Sequence, residues 1–336
     1  MSHELIEQVF VPAFGSSILA ELDDGAWIEA SGPNVCITTD AFVVKPLFFP
    51  GGDIGSLAVY GTINDLAVMG AKPIALSCSF VLEEGLELPI LKRIAASMAA
   101  ASKSAGVPIV TGDTKVVEKG AADGVFITTT GVGQPMDNAR LRCRGLRRRG
   151  LGCRGLGYNR IEPGDNVIIT GTIGDHGTAV LLARERFEIS SQVASDCAPI
   201  HELVATALAS GADVKFMRDP TRGGLATVLN EIASKCGMSI AIDEANVPIK
   251  TEVSAALELL GLDPFYVASE GRCVMVVAAS DAQRLVATLA GHELGRQSAV
   301  IGRVEKAPAG MVSLASSVGG RRILPMLTAD QLPRIC

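Results

Sequence analysis

Residues 35–70 read VCITTDAFVVKPLFFPGGDIGSLAVYGTINDLAVMG, and their order decides the fold class. Residues 35–44 read as a β-rich strand, and Phe48-Phe49-Pro50-Gly51-Gly52-Asp53 is a turn-prone loop. From Gly55 to Gly70 the apolar residues Leu57, Val59, Tyr60, Ile63, Leu66, Ala67 and Val68 recur with helical periodicity, and Gly70 supplies a stop. Moving outward, 73–82 reads as a strand, 89–105 as an Ala-rich helix, 107–111 as a short buried strand and 124–132 as a further strand. Such alternation predicts an α/β or α+β domain ending near Gly133.

A basic Arg/Gly-rich stretch over 138–160 interrupts the pattern and reads as a linker or surface insertion. A second domain is expected over 161–327. Its strands fall at 166–171, 238–242, 273–278 and 311–314, and its helices near 177–186, 200–210, 222–236 and 251–260. Residues 328–336 are expected to form a mobile tail ending in Cys336, and 1–137 the first domain.

Length and composition agree with two domains. The chain has 336 residues, 48% of them apolar but only 4% aromatic, so its cores rest on Ala, Val, Ile and Leu. The net charge of −6 argues against nucleic acid as a partner. No apolar run reaches the ~20 residues that a spanning helix needs, and the N-terminus lacks the features of a signal peptide. The eight cysteines include no C-x-x-C pair, which makes a structural zinc site improbable and suggests a cytoplasmic protein with reduced thiols.

Chemistry is expected at three loop-edge carboxylates, Asp40, Asp65 and Asp113, because a hard cation such as Mg²⁺ takes oxygen ligands together with waters and phosphates. Taken singly they also fit a turn residue, a solvated helix position and a cap. Asp65 stands out between Ile63 and Leu66, where a burial-driven helix ordinarily carries no charge. Two glycine-rich turns, Gly171-Thr172-Ile173-Gly174-Asp175-His176-Gly177 and Arg218-Asp219-Pro220-Thr221-Arg222-Gly223-Gly224, border helices and can present backbone N–H groups to an anion. Neither is a Walker A loop or a dinucleotide fingerprint. Cys336, an exposed thiol on a free end, suits use as a chemical handle.

These turns, together with Phe48-Phe49-Pro50-Gly51-Gly52, Gly61-Thr62-Ile63-Asn64-Asp65-Leu66-Ala67, Gly112-Asp113-Thr114-Lys115-Val116-Val117 and the terminal Pro333-Arg334-Ile335-Cys336, resemble the HypE family of hydrogenase maturation proteins. The internal motifs are shared with a wider PurM-like superfamily that includes aminoimidazole ribonucleotide synthetase, and the cysteine ending selects HypE. The resemblance implies a two-domain PurM-like fold whose N-terminal domains pair in a homodimer. It implies ATP and Mg²⁺ in a cleft and a terminal cysteine carbamoylated by HypF. The S-carboxamide is dehydrated to an S-cyanate, and the cyanide passes to iron on a HypC–HypD complex.

By the same resemblance Asp40, Asp65 and Asp219 lie near Mg²⁺, and Asn64, Asp113, Thr114, Gly174 and Asp175 surround the nucleotide. His176 is a neighbour of that site. Glu270 is expected to accept a proton from the carboxamide nitrogen while Lys115 positions its oxygen, and Cys336 carries the group. A surface Glu270 paired with Arg272 is the alternative. The glycine-rich stretch with which family members usually begin is missing here: either the start is misassigned or cut short, or a loop covering the phosphates is absent, in which case ATP binding is expected to be weaker. Competing readings are another ATP-dependent enzyme of the superfamily and a non-catalytic scaffold.

Overall fold

The computed structural model describes residues 6–14, 18–136, 156–185, 192–316, 319–327 and 335. Most of the 138–160 insertion, the tail over 328–334 and Cys336 lie outside the described residues.

The first domain is a five-stranded sheet covered on one side by two helices. Its strands are β1 (Ala26–Ile28), β2 (Val35–Phe42), β5 (Ala71–Glu83), β6 (Ile109–Val117) and β7 (Val125–Pro135), ordered β1-β2-β7-β5-β6. Only β5 and β6 run parallel, joined by a crossover helix. The short pair β3 (Phe48–Phe49) and β4 (Gly52–Asp53) leads into helix α2 (Ile54–Val68), preceded by a single turn, α1 (Val11–Phe14). Asp53 starts α2 with a capping box: its carboxylate accepts from the Gly55 and Ser56 amides at 2.7 and 3.0 Å, and Ser56 Oγ accepts the Asp53 amide at 3.0 Å. Replacing Asp53 by alanine should therefore cost about 1 kcal/mol, read as a melting temperature lower by about 2–4 °C. An unchanged melting curve would remove the cap from the account.

Helix α2 is buried on nearly all sides because the sheet, helix α3 (Leu88–Ala105) and the second domain all press on it. Helix α3 is amphipathic instead, burying Ile94, Met98, Ala101 and Ala105 at spacings of four, three and four. The sequence placed Gly112-Asp113-Thr114-Lys115 beyond a strand ending at 111, but β6 continues to Val117. Gly112 is needed for close approach rather than for a turn, since a Cβ there would meet the Cys78 carbonyl oxygen at 2.0 Å.

The second domain holds β8 (Asn166–Ile169), β9 (Val214–Arg218), β10 (Ser239–Asp243), β11 (Val274–Val277), β12 (Ala299–Glu305), β13 (Val312–Ala315) and β14 (Arg321–Ile323), ordered β14-β13-β10-β12-β8-β11-β9. All pairs are antiparallel except β10 with β13. Helices α5 (His201–Ala209) and α8 (Ala282–Leu289) cover one face, and α6 (Gly224–Cys236) covers the other. Val167, Ile169, Val274 and Val276 enter the core under α6, while Ile168, Met275 and Val277 enter the core under α5 and α8. Burial on both faces explains the unbroken apolar runs in β8 and β11. Helix α4 (Asp175–Glu185) meets β3 and sends Val180 into the first domain's core, α7 (Thr251–Leu260) packs on α4, and α5 lies against α2.

At the border with the insertion, Tyr158–Arg160 forms a turn packed into the second domain, with Tyr158 tilted on Phe216 and Arg160 ion-paired to Asp213. Beyond β14, Leu324 is buried and Pro325 accepts from the Tyr266 hydroxyl at 3.0 Å, so the chain still hugs α6 where its periodicity is lost.

Candidate functional site

Four of the expected site carboxylates lie within one another's electrostatic fields. Asp40 comes from β2, Asp65 from the last turn of α2, Asp219 from just after β9 and Glu270 from the loop before β11. Each is pushed above the usual carboxylate range, by burial first. Asp65 is then raised by Asp40 and Asp219, Asp219 by Asp24 and Asp40, and Glu270 by Asp219, Asp196 and Asp40. Asp65, Asp219 and Glu270 are shifted furthest. Arg222 opposes the shift at Asp40 and Glu270, and Thr38 donates to Asp65 at 2.8 Å.

Glu270 is 2% exposed, and its Oε1 has no hydrogen-bond partner among the described residues. The alternative of a surface carboxylate paired with Arg272 is excluded by this burial. Arg272 instead bonds the Thr172 carbonyl at 3.0 Å and ion-pairs with Asp196 at 3.4 Å and Asp175 at 3.8 Å.

Asn64 has no exposure, and its side chain is spent on the second domain's backbone. Its Nδ2 donates to the carbonyls of Ala198 at 3.0 Å and Glu270 at 2.9 Å, and its Oδ1 accepts from the Ile200 amide at 2.8 Å. The residue expected beside the nucleotide thus staples α2 to the segments carrying Ala198 and Glu270. Gly174 and Asp175 form a closed turn: the Gly174 amide donates to Ser269 Oγ at 3.0 Å, and Asp175 is bonded by Thr172 and pairs with Lys250 at 3.0 Å. His176 is fully buried between Ser195, at 2.8 Å, and the Ile335 carbonyl, at 2.9 Å.

Asp113, Thr114 and Lys115 are placed differently. They lie on β6, an edge strand of the first domain, where Asp113 and Lys115 pair with each other at 3.1 Å with side chains 62% and 70% exposed. No described bond joins them to the buried carboxylates. Cys336 lies outside the described residues, but Ile335 before it is buried.

Sequence reading missed Asp24, Asp196 and Ser195, and it placed Arg218 in a glycine-rich turn without its ion-pair partners. Asp24 pairs with Arg218 at 3.0 Å, and Arg218 also reaches Glu231 at 3.1 Å. Asp196 holds the amides of Glu270 and Gly271 at 3.1 and 3.4 Å. Ser195 lies against Gly51, where a Cβ would meet its backbone at 2.6 Å, and its amide donates to Pro50 at 2.8 Å. The Pro50-Gly51 motif was the available signal, read as a turn when it is a landing place for another strap.

A buried cluster of oxygen donors whose mutual repulsion is only partly offset by Arg218 and Arg222 fits a hard cation. No three acidic, histidine or cysteine side chains among the described residues converge into a ready cage, so such an ion would draw its remaining ligands from water or phosphate.

Residues 22–134 match the model of the AIR synthase related protein N-terminal domain, and residues 162–314 that of the C-terminal domain. The chain is 50% identical over 334 residues to the carbamoyl dehydratase HypE of Cupriavidus necator, spanning 99% of this chain and 91% of that protein. A crystal structure of a HypE–HypF complex superposes with a TM-score of 0.86 at 42% identity, covering 96% of this chain and 99% of that one. A structure of HypE in complex with ATP gives 0.82 at 42% identity, covering 100% and 96%. With this identity over nearly its whole length and both domains matched in order, the chain belongs to the HypE family of AIR synthase related proteins.

Proposed function

We propose that this chain dehydrates a carboxamide carried on the sulfur of Cys336 to an S-cyanate at the expense of ATP, supplying cyanide for the iron of a [NiFe] hydrogenase. The observation that carries this reading is Glu270: buried, without a partner at Oε1 among the described residues and raised in proton affinity, while Ile335 beside the terminal cysteine is docked against His176. Conversion of the carboxamide to the nitrile breaks two N–H bonds and the carbon–oxygen bond. A bound Mg²⁺–nucleotide supplies the phosphoryl group that makes the amide oxygen a leaving group. Glu270 Oε1 would take the first proton from nitrogen, a transfer its raised affinity favours, and the second would leave with the phosphate that carries off the oxygen. Asp196 fixes the backbone of Glu270, and Asn64 fixes the same loop from the other domain. Asp40, Asp65 and Asp219 would hold the cation.

Asp113, Thr114 and Lys115 enter this scheme through a homodimer of N-terminal domains, supported by the exposed edge strand β6 with Val110 65% and Val116 69% exposed. HypF as carbamoyl donor, HypC–HypD as cyanide acceptor and a cytoplasmic location complete the proposal. No helix among the described residues is long and apolar enough to cross a membrane.

The test is mass spectrometry of the C-terminal peptide after incubation with HypF, carbamoyl phosphate and ATP. Gain of a carboxamide followed by ATP-dependent loss of one water is expected, and a carboxamide that never loses water rules the reading out.

The site also sets a pH signature. Carboxyl groups whose folded pKa is raised bind protons more tightly in the native state, so their stabilising contribution is present at low pH and is lost as pH rises through the folded value. Buried His176, whose pKa lies below its ordinary 6.5, works against stability only at lower pH. Without divalent cation, the melting temperature should fall as pH rises above the ordinary carboxylate range. Mg²⁺ with nucleotide should flatten that slope. A slope that is the same with and without them would contradict a shared cation site.

A further inference from the structure

We propose that His176 is the positioning residue that seats the C-terminal tail, by donating its Nε2–H to the carbonyl of Ile335, the residue before Cys336. The purpose of the clamp rests on the dehydratase reading, but its geometry does not.

The bonding pattern fixes which nitrogen carries the proton. A peptide carbonyl only accepts, so the 2.9 Å contact with Ile335 requires hydrogen on Nε2. Nδ1 is then an acceptor, and Ser195 Oγ lies 2.8 Å from it. Ser195 Oγ is itself oriented, because it accepts the Cys197 amide at 3.1 Å and has its hydroxyl hydrogen left for His176. One relay thus runs from the Cys197 amide through Ser195 and His176 to the tail. Burial keeps the ring neutral, as this relay requires. Phe49 meets the imidazole edge-on at a centroid distance of 5.3 Å and limits its rotation.

The clamp reads main chain at one position and apolar bulk beside it, since Ile335 is 8% exposed. It also ties the tail to the proposed base. Gly177, next to the imidazole on α4, donates to the Ala268 carbonyl at 3.1 Å, two residues before Glu270. Ser195 adjoins Asp196, whose carboxylate holds the amides of Glu270 and Gly271. The same two segments that hold His176 therefore hold Glu270, so Ile335 is anchored on segments that also carry the proposed base. Sequence alone could place His176 in a glycine-rich turn, but its partner lies 159 residues away.

The experiment reads tail docking without catalysis. Maleimide labelling of Cys336 is followed on the C-terminal peptide beginning at Asp330, with no nucleotide present. Loss of one neutral hydrogen bond shifts a docking equilibrium by about fivefold. His176→Leu should speed labelling by about that factor, while His176→Gln, which restores an N–H donor, should stay within about twofold of the natural chain. Labelling unchanged in His176→Leu overturns the proposal, as does His176→Gln labelling as fast as His176→Leu. Should the leucine variant fail to fold, side-chain nitrogen NMR decides on the natural sequence. Removing residues 335 and 336 should move the Nε2 resonance of His176 alone among the four histidines. An unmoved resonance refutes the clamp.

The dehydratase reading is judged separately, by water loss from the carbamoylated peptide. Water loss with unaltered labelling would leave the enzyme and remove the clamp. Altered labelling without water loss would leave the clamp and remove the enzyme.

Discussion

Asn64→Leu is expected to lower stability by about 3–5 kcal/mol, measured by urea unfolding, with a melting temperature lower by roughly 6–15 °C. The size follows from what the substitution strands. The leucine fills a similar volume but leaves the carbonyls of Ala198 and Glu270 and the amide of Ile200 without their partner, all inside the protein. Each buried backbone group deprived of a bond costs about 1–3 kcal/mol, and some relief comes from added apolar burial. Asn64→Asp should be no milder, since a carboxylate would turn an oxygen toward two carbonyl oxygens. The same measurement separates this role from a nucleotide contact. A nucleotide ligand would melt normally alone and lose only the stabilisation that nucleotide adds, whereas a staple fails without nucleotide. A leucine variant melting within about 1 °C of the natural chain would show that Asn64 does not hold the domains.

How much of this was legible in the sequence can be judged residue by residue. The helix carrying Asn64 was readable from its periodicity, and so was the oddity of polar residues in it. A buried amide in an apolar helix fits a ligand contact and a staple equally well, and the deciding bonds span 134 to 206 residues. Local pattern carries no trace of them. Gly112 shows the converse error: glycine marks close backbone approach as well as turns, and the approach of Cys78 is a property of the folded sheet. Strand β9 escaped notice because Lys215 sits in it, yet that lysine is 4% exposed and neutralised by Asp165 at 2.8 Å and Glu162 at 2.7 Å. A charge that pairs inside the protein looks like a surface charge until its partners are seen. Asp40 and Asp65 stood out as loop-edge carboxylates and Asp219 lay in a glycine-rich turn, whereas the role of Glu270 came from resemblance to a family; the structure adds the mutual repulsion among them. Asp24 and Asp196 carry the same field, but nothing in their immediate neighbours distinguishes them from ordinary loop aspartates.

Glu270→Gln is expected to slow single-turnover dehydration of the carbamoylated chain by about 10²–10⁴-fold while making the protein more stable. The rate effect follows from removing the proton acceptor with little change in shape: glutamine preserves volume and the backbone bonds to Asp196 and Asn64, but an amide oxygen has too little basicity to take a proton from nitrogen. The stability effect has the opposite sign for an electrostatic reason. Glu270 is raised by burial and by the charges of Asp219, Asp196 and Asp40, so its ionised form is disfavoured in the native state relative to the unfolded chain. Glutamine has no ionised form and relieves that repulsion, most visibly above neutral pH. A general packing defect would reduce activity and stability together, so a variant that melts higher at about pH 8 and cannot convert its carboxamide separates a site role from a structural one. Conversion at the natural rate in Glu270→Gln would remove it as the base. A lower melting temperature would show that Oε1 has a partner in the protein and that the unpaired oxygen is not part of the design. Glu270→Asp adds a geometric control: the carboxylate is retained but withdrawn by one methylene, and a misplacement of about 1 Å is enough to cost about 10²-fold. Aspartate activity between those of glutamine and the natural residue would establish that both the charge and the reach of Glu270 are used. On the proposed mechanism, the partner that Glu270 Oε1 lacks among the described residues is the carboxamide carried on Cys336.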